Sequence, residues 1–384
     1  GRTDAMSFDS MLEDHEKRRA HALSMGGPQR VAAIKDRGSL NARQRVDHLF
    51  DEGTFIESGL FVTSHVREER EKTPTDGKVC GYGRIEGREA AVISHDLSVK
   101  GASSSITNVK KMRHMRETAI KNGMPLVFLN ESSGARMPDV MGAVAMGLMG
   151  QDPEQYIRRR EVPLVSAVLG PCYGSSSWYA ALSDFVVMRK GAVMAVSSAN
   201  VTSVAISEDP DPEELGGWRM QAGVTGQVDL AVDSDEEALD AIKAFLSYMP
   251  SHSGEAPPEL EPAADAAQDQ DALLSVVPES RSKVYDMRDV VRVIMDKGSY
   301  FPIKDRFARN ISPGLARLNG RSVGVMAPNP KFKGGALDSD ACDKAISFIA
   351  PDERPYMRDI ERVTRSKSEP MPLPENFNEM VRNL

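Results

Sequence analysis

One pattern occurs twice in this chain of 384 residues, and it constrains the fold more than any other feature. Gly83-Arg84-Ile85-Glu86-Gly87-Arg88-Glu89-Ala90-Ala91-Val92-Ile93 matches Ala316-Arg317-Leu318-Asn319-Gly320-Arg321-Ser322-Val323-Gly324-Val325-Met326. In both, a short apolar strand meets a tight glycine turn and leads into a buried strand. Continued without a gap, Lys100-Gly101 falls on Lys333-Gly334. Upstream, Asp51-Glu52-Gly53-Thr54-Phe55 matches Asp296-Lys297-Gly298-Ser299-Tyr300. Matches in the same order at separate points predict a duplicated domain.

The copies are unequal. The first closes on Val228-Asp229-Leu230-Ala231-Val232, a strand followed by a capped helix and a Pro-rich exit. The second reaches a similar ending, Ser347-Phe348-Ile349-Ala350-Pro351-Asp352, far too early, so its middle is missing near 347–350. The expected organisation is a first domain with a helical arm over 8–250, an extended linker over 251–282 and an incomplete second domain over 283–384. Met11, His15, Arg18 and Ala22 lie at helical spacing in the arm. A second helix through Arg45–Phe50 is expected to end at Gly53 as a C′ glycine. In copy one, Val92-Ile93-Ser94, Leu126–Leu129, Leu164–Val168, Phe185–Met188 and Ala192–Val196 read as buried strands. Helices are expected over 104–122 and 151–160. Together these give an α/β domain with a covered sheet.

Composition excludes several classes. Apolar residues at 40% and charged residues at 27% describe a globular chain, not a disordered one. Lys plus Arg number 48 against 56 Asp plus Glu, a net charge of -8, which argues against nonspecific nucleic-acid binding. Cys80, Cys172 and Cys342 are too scattered for a disulfide framework or zinc site, and no metal-ligand spacing occurs. They fit reduced thiols of a cytoplasmic protein. No apolar run approaches the roughly 18 residues of a membrane span.

Two strand ends carry turns of small residues: Leu129-Asn130-Glu131-Ser132-Ser133-Gly134-Ala135-Arg136, and Gly170-Pro171-Cys172-Tyr173-Gly174-Ser175. Such turns leave backbone N–H groups facing a ligand, and a pair of them makes an oxyanion hole. The same glycines would serve close helix–strand packing, and sequence does not choose between the two uses. Lys100, Lys110, Lys111, Arg113, His114 and Arg116 form a basic run, either a solvated helix face or a phosphate site. No Gly-x-Ser-x-Gly elbow occurs, and Cys172 has no histidine paired with it in sequence.

The ordered set Asn130-Glu131-Ser132-Ser133-Gly134-Ala135-Arg136, Gly170-Pro171-Cys172-Tyr173-Gly174, Ser183-Asp184-Phe185 and Glu213-Glu214-Leu215-Gly216-Gly217 resembles the carboxyltransferase (beta) subunits of biotin-dependent acyl-CoA carboxylases, of the propionyl-CoA carboxylase type. Gly38–Val46, Tyr285-Asp286-Met287-Arg288, Asn310-Ile311 and Gly335-Ala336-Leu337-Asp338 extend the resemblance over nearly the whole chain. It implies two crotonase-like domains, each a ββα superhelix. It implies a carboxyl transfer from carboxybiotin, held by a separate carrier, to the α-carbon of a short-chain acyl-CoA. The biotin ureido group would take the α-proton, and backbone N–H pairs would hold the oxyanions. A biotin carboxylase or biotin carrier subunit is the implied partner, and a hexamer the implied assembly. A decarboxylase subunit of the same fold and a non-catalytic scaffold are the alternatives. Matched by motif, Gly174 and Ser175 are the oxyanion donors, and Gly101, Ala102, Ala135 and Arg136 lie at the CoA. The family usually has glycine where this chain has Ser133 and Ser175.

Overall fold

The computed structural model describes residues 8–143, 145, 147, 160–262, 270–280 and 282–346. The missing middle near 347–350, and the helix expected over 151–160 except Arg160, lie outside the described residues. The chain forms two compact units, Gly1–Leu337 and Asp338–Leu384.

The arm folds as α1 (Phe8–Leu23), α2 (Pro28–Asp36) and α3 (Ala42–Leu49). Of the predicted face of α1, Met11, His15 and Arg18 are exposed and only Ala22 is buried, so the helix packs less closely than expected. His15 lies edge-on to Phe61, the Arg18 guanidinium covers the same ring, and Ala22 is buried. Helix α3 stops at Leu49, and Phe50 is already extended. Gly53, at φ 73°, is therefore not its C′ residue but part of the next turn.

The first unit is built on a sheet ordered β1 (Ile56–Ser58), β2 (Lys78–Ile85), β3 (Arg88–His95), β4 (Leu126–Ser132), β5 (Leu164–Tyr173), β6 (Phe185–Arg189), β8 (Leu230–Val232). Strand β7 (Val193–Ala195) pairs with the far end of β5. From β3 onward the pairings are parallel, and such strands are covered on both faces, which explains their continuous apolar runs. Helix α4 (Ile106–Lys121) starts at a capping box of Ser105 and Asn108. It sets Met112, Met115 and Ala119 against Ile93, Leu126 and Phe128. Helix α5 (Ser175–Ala181) stacks Tyr179 on Phe128 with ring centroids 4.9 Å apart. After the short α6 (Trp218–Gly223), helix α7 (Asp235–Tyr248) stacks Phe245 on Phe185 at 4.6 Å.

The repeat is a structural duplication. Helix α8 (Met287–Ile294) repeats α3, with Asp286 capping it where Asn41 caps the first. Strands β9 (Phe301–Pro302), β10 (Ile311–Leu318) and β11 (Arg321–Pro328) repeat β1, β2 and β3, so Arg84 and Arg317 occupy equivalent strands. Asp51 Oδ1 and Oδ2 accept from Glu86 N at 3.0 Å and Gly87 N at 2.8 Å. Asp296 does the same with Asn319 N and Gly320 N, both at 2.8 Å. The turn residues match in dihedral, Glu86 and Asn319 at φ 49° and 50°, Gly87 and Gly320 at 80° and 78°. Gly81 and Gly314 are close approaches in both copies, each Cβ position lying against an aromatic ring and a carbonyl of the neighbouring edge strand. Within the second unit, α9 (Ser339–Ile346) begins under an Asp338 cap, where copy one has Ser105 and α4.

The linker region is not wholly free of structure. Leu260 N donates to Gly320 O at 3.1 Å, and Arg317 Nη1 donates to Pro258 O at 3.0 Å, which ties it to the second hairpin.

Candidate functional site

Three backbone turns meet at the C-terminal ends of β3, β4 and β5. The first is Lys100–Ala102, whose three residues all have positive φ, 50°, 64° and 50°. The second is Ser133–Arg136. Ser133 N donates to Gly101 O at 2.9 Å, and a Cβ on Gly101 would sit 2.7 Å from Ser133 Oγ, so Gly101 is required by both its dihedral and its neighbour. Ser104 then bridges Ala135, through Ser104 N to Gly134 O and Arg136 N to Ser104 O, both 2.8 Å. The third turn is Gly174, at φ 65° and ψ −130°, which swings β5 into α5. Ser175 Oγ lies 3.4 Å from Ser104 Oγ, joining this turn to the other two. The structure thus gathers Gly101, Ala102, Ala135, Arg136, Gly174 and Ser175 in one place.

The backbone donors of these turns play different roles. Gly174 N donates to Val196 O at 3.1 Å. The expectation that Gly174 and Ser175 both offer N–H groups is corrected accordingly: Gly174 makes the turn, and its own N–H faces the chain beyond β7. Among the described residues, no acceptor takes the N–H of Ser175 or of Ala135. Neither Ser175 nor Ser133 has positive φ, so serine in place of glycine carries no backbone penalty at either position.

Arg136 lies near the turns but does not offer its guanidinium to a ligand. It is buried, pairs with Asp76, and donates to Ser103 O at 3.1 Å. Asp76 also accepts from Ser105 Oγ at 2.5 Å, tying the α4 cap into the same network. Lys111 departs from both readings of the basic run. It is buried, and its Nζ caps the carbonyls of Thr75 at 3.1 Å and Lys78 at 2.5 Å. Lys110 and His114 are exposed, and Lys100 pairs with Glu69 at 2.7 Å.

Sequence reasoning missed the layer beneath the turns. Lys78 is fully buried at the start of β2, and its Nζ donates to Ala102 O at 2.8 Å, steadying the first turn from below. Burial, aided by Arg136, pushes its pKa down to about 7. His95 pairs with Lys78 in register across β2 and β3. Burial, then Lys78, hold it well below the usual imidazole range. The signal was the alternation of Lys78 with Cys80, which puts both on the same covered face. Arg45 is likewise fully buried, bridging Glu131 at 2.5 Å and Asp235 at 2.8 Å. Cys172 is buried in β5 and burial raises its thiol pKa, so it is no nucleophile. Chemically, the arrangement offers two backbone donors at a surface whose adjoining charged side chains are committed elsewhere.

The carboxyl transferase domain family matches residues 34–352. The propionyl-CoA carboxylase carboxyltransferase subunit of Haloferax mediterranei is 35% identical over 352 residues, covering 90% of this chain and 67% of that protein. The methylmalonyl-CoA decarboxylase subunit alpha of Veillonella parvula is 32% identical, covering 87% of this chain and 66% of that one. Among solved structures, the transcarboxylase 12S hexamer with hydrolysed methylmalonyl-coenzyme A bound superposes with a TM-score of 0.82 at 31% identity, over 90% of this chain and 68% of that one. The chain spans about two thirds of the length of these relatives. It belongs to the carboxyl transferase family, with a crotonase-like fold.

Proposed function

We propose that this carboxyl transferase moves a carboxyl group onto the α-carbon of a short-chain acyl-CoA, with carboxybiotin on a separate carrier subunit as the donor. The observation that carries the proposal is that the Ala135 and Ser175 N–H groups, both without a described acceptor, sit on two turns that Ser104 joins. Two such donors suit a thioester oxygen that gains negative charge as the α-proton leaves. Donors fixed by β4 and α5 need no reorganisation as charge develops.

The site also fits a base that arrives with the cofactor. Lys78, His95 and Arg136 are buried, and Lys100, in the first turn itself, is paired with Glu69. Bound carboxybiotin would supply both the carboxyl group and, after its release, the ureido base. The chain's part is to hold the thioester oxygen on Ala135 and Ser175, with Gly101 and Ala102 shaping the wall beside the CoA. The transcarboxylase 12S structures, one with hydrolysed methylmalonyl-coenzyme A and one with methylmalonyl-coenzyme A and methylmalonic acid bound, support that ligand class. Homo-oligomerisation as a hexamer, a biotin carboxylase or carrier partner, and a cytoplasmic setting belong to the same proposal. Among the described residues no helix is long and apolar enough to cross a membrane.

Running the reaction towards CO₂ release is the second reading, favoured by the match to a decarboxylase subunit. The test supplies the full protein with carboxybiotinylated carrier and acyl-CoA, or with methylmalonyl-CoA and free biotin carrier. Carboxylated acyl-CoA in the first arm establishes transfer. Product only in the second arm, with none in the first, favours the decarboxylase. No turnover in either rejects both.

A further inference from the structure

The loop between β9 and β10 and helix α6 line a cavity of about 480 Å³. Four arginines, Arg219, Arg288, Arg306 and Arg309, line it beside Trp218 and Asp305. In a chain of net charge -8, this is a local excess against the prevailing field. Two of the four are already matched. Arg219 Nη1 lies 3.2 Å from Glu213, and Arg288 holds Asp286 through Nε at 2.9 Å and Nη2 at 2.6 Å. No described carboxylate pairs with Arg306 or Arg309. They rest instead on aromatic faces, Arg306 5.0 Å from the Trp218 centroid and Arg309 3.9 Å from that of Phe332.

Stacking leaves the in-plane N–H donors of a guanidinium available. It also determines what the ligand is not. Trp218 already carries Arg219 at 4.6 Å and Lys190 at 5.4 Å besides Arg306, so three cations compete with any base or aryl group for its ring. What the cavity offers is forked N–H donors, which match the oxygens of phosphate groups.

The loop is built to hold this arrangement. Lys304 and Ala308, neither of them glycine, have φ of 51° and 42°. Such residues persist where their surroundings over-determine them, and they cluster at ligand sites. Here Lys304 N donates to Asp229 O at 2.9 Å and its Nζ lies 3.3 Å from the Asp229 carboxylate. The Phe307 ring sits 2.7 Å from where Gly226 would carry a Cβ. Arg306 and Arg309 flank that anchored phenylalanine.

We propose that this cavity is a binding site for a diphosphate group, held by the guanidiniums of Arg306 and Arg309 with Arg219 and Arg288 behind them. The group has two chemical sources, the diphosphate of a CoA molecule or a separate diphosphate-bearing ligand. The proposal does not depend on the carboxyl-transfer site, with which it shares no residue.

Inorganic pyrophosphate is the probe, titrated calorimetrically into the full chain. Saturable binding is expected, weakened at least about tenfold in Arg306→Gln/Arg309→Gln. Asp305→Asn, which removes the one carboxylate in the lining, is expected to bind more tightly than the parent, a gain that misfolding does not produce. A CoA arm distinguishes the sources. Displacement of pyrophosphate by CoA, with weaker CoA binding in the double variant, assigns the diphosphate to CoA. Simultaneous binding assigns it to a separate ligand. Absence of saturable pyrophosphate binding, or equal binding by all three proteins, overturns the proposal.

Discussion

Gly174→Val separates a catalytic turn from a packing turn. Gly174 has φ 65° and ψ −130°, a region open to glycine and closed to residues with a branched Cβ. Among the described residues no atom beyond its chain neighbours lies within 4 Å of its Cβ position, so the cost falls mainly on the backbone. Holding a non-glycine residue there costs about 1–3 kcal/mol, with valine at the upper end. The chain can relieve that strain by rotating the turn, which moves the Ser175 N–H off its line. Losing one oxyanion donor costs about 3 kcal/mol in the transition state, a hundredfold or more in kcat. Gly191→Val is the control, since Gly191 has φ 88° and an equally open Cβ position, in the turn after β6. Both variants are expected to melt a few degrees lower. Only Gly174→Val is expected to lose kcat for carboxyl transfer at saturating acyl-CoA and carrier. A Gly174→Val enzyme with kcat within threefold of the parent (about 0.7 kcal/mol) refutes a role for this turn in oxyanion binding.

Three further outcomes follow from the same structure. Arg45→Met takes from buried Glu131 its arginine partner and leaves Asp235 with Arg189, and is expected to cost about 3–5 kcal/mol in urea unfolding, partly restored by Glu131→Gln; an unchanged midpoint contradicts this. Lys78 has a folded pKa of about 7 against an ordinary 10.5, so the unfolded chain binds the extra proton between those values and stability should rise with pH across that window. Lys78→Met removes this contribution, and its urea midpoint, compared with the parent at pH 6 and pH 9, should show a smaller gain; equal gains count against a buried Lys78. Asp51→Ala and Asp296→Ala each remove two hydrogen bonds from equivalent hairpin turns and should cost a similar amount, about 1 kcal/mol each; a cost at one site alone contradicts equivalent turns.

The repeat was readable because Asp51, Gly87, Asp296 and Gly320 hold turns whose chemistry is local: a carboxylate accepting two N–H groups and a glycine at positive φ. The strands of copy one were readable because parallel strands covered on both faces leave continuous apolar runs. Glycine at position 174 marked the turn correctly, but which N–H faces outward depends on Val196, brought alongside by β7, and no local pattern encodes that. Arg136 and Lys111 looked like ligand-binding or solvated cations because sequence shows charge and not burial. Their partners, Asp76 and the carbonyls of Thr75 and Lys78, come from a segment some thirty to sixty positions away. Gly53 differs for a related reason: a glycine after a helix usually ends it, but here Phe50 is already extended and Gly53 lies in the separate turn that Thr54 N closes on Asp51 O.

The most direct test of the account is carboxyl transfer with a labelled carboxybiotinylated carrier and a series of acetyl-, propionyl- and butyryl-CoA, using the full protein. The label should appear on the α-carbon of at least one acyl-CoA, and only when protein and carrier are both present. Acyl-CoA binding without transfer of label to any of the three would contradict it.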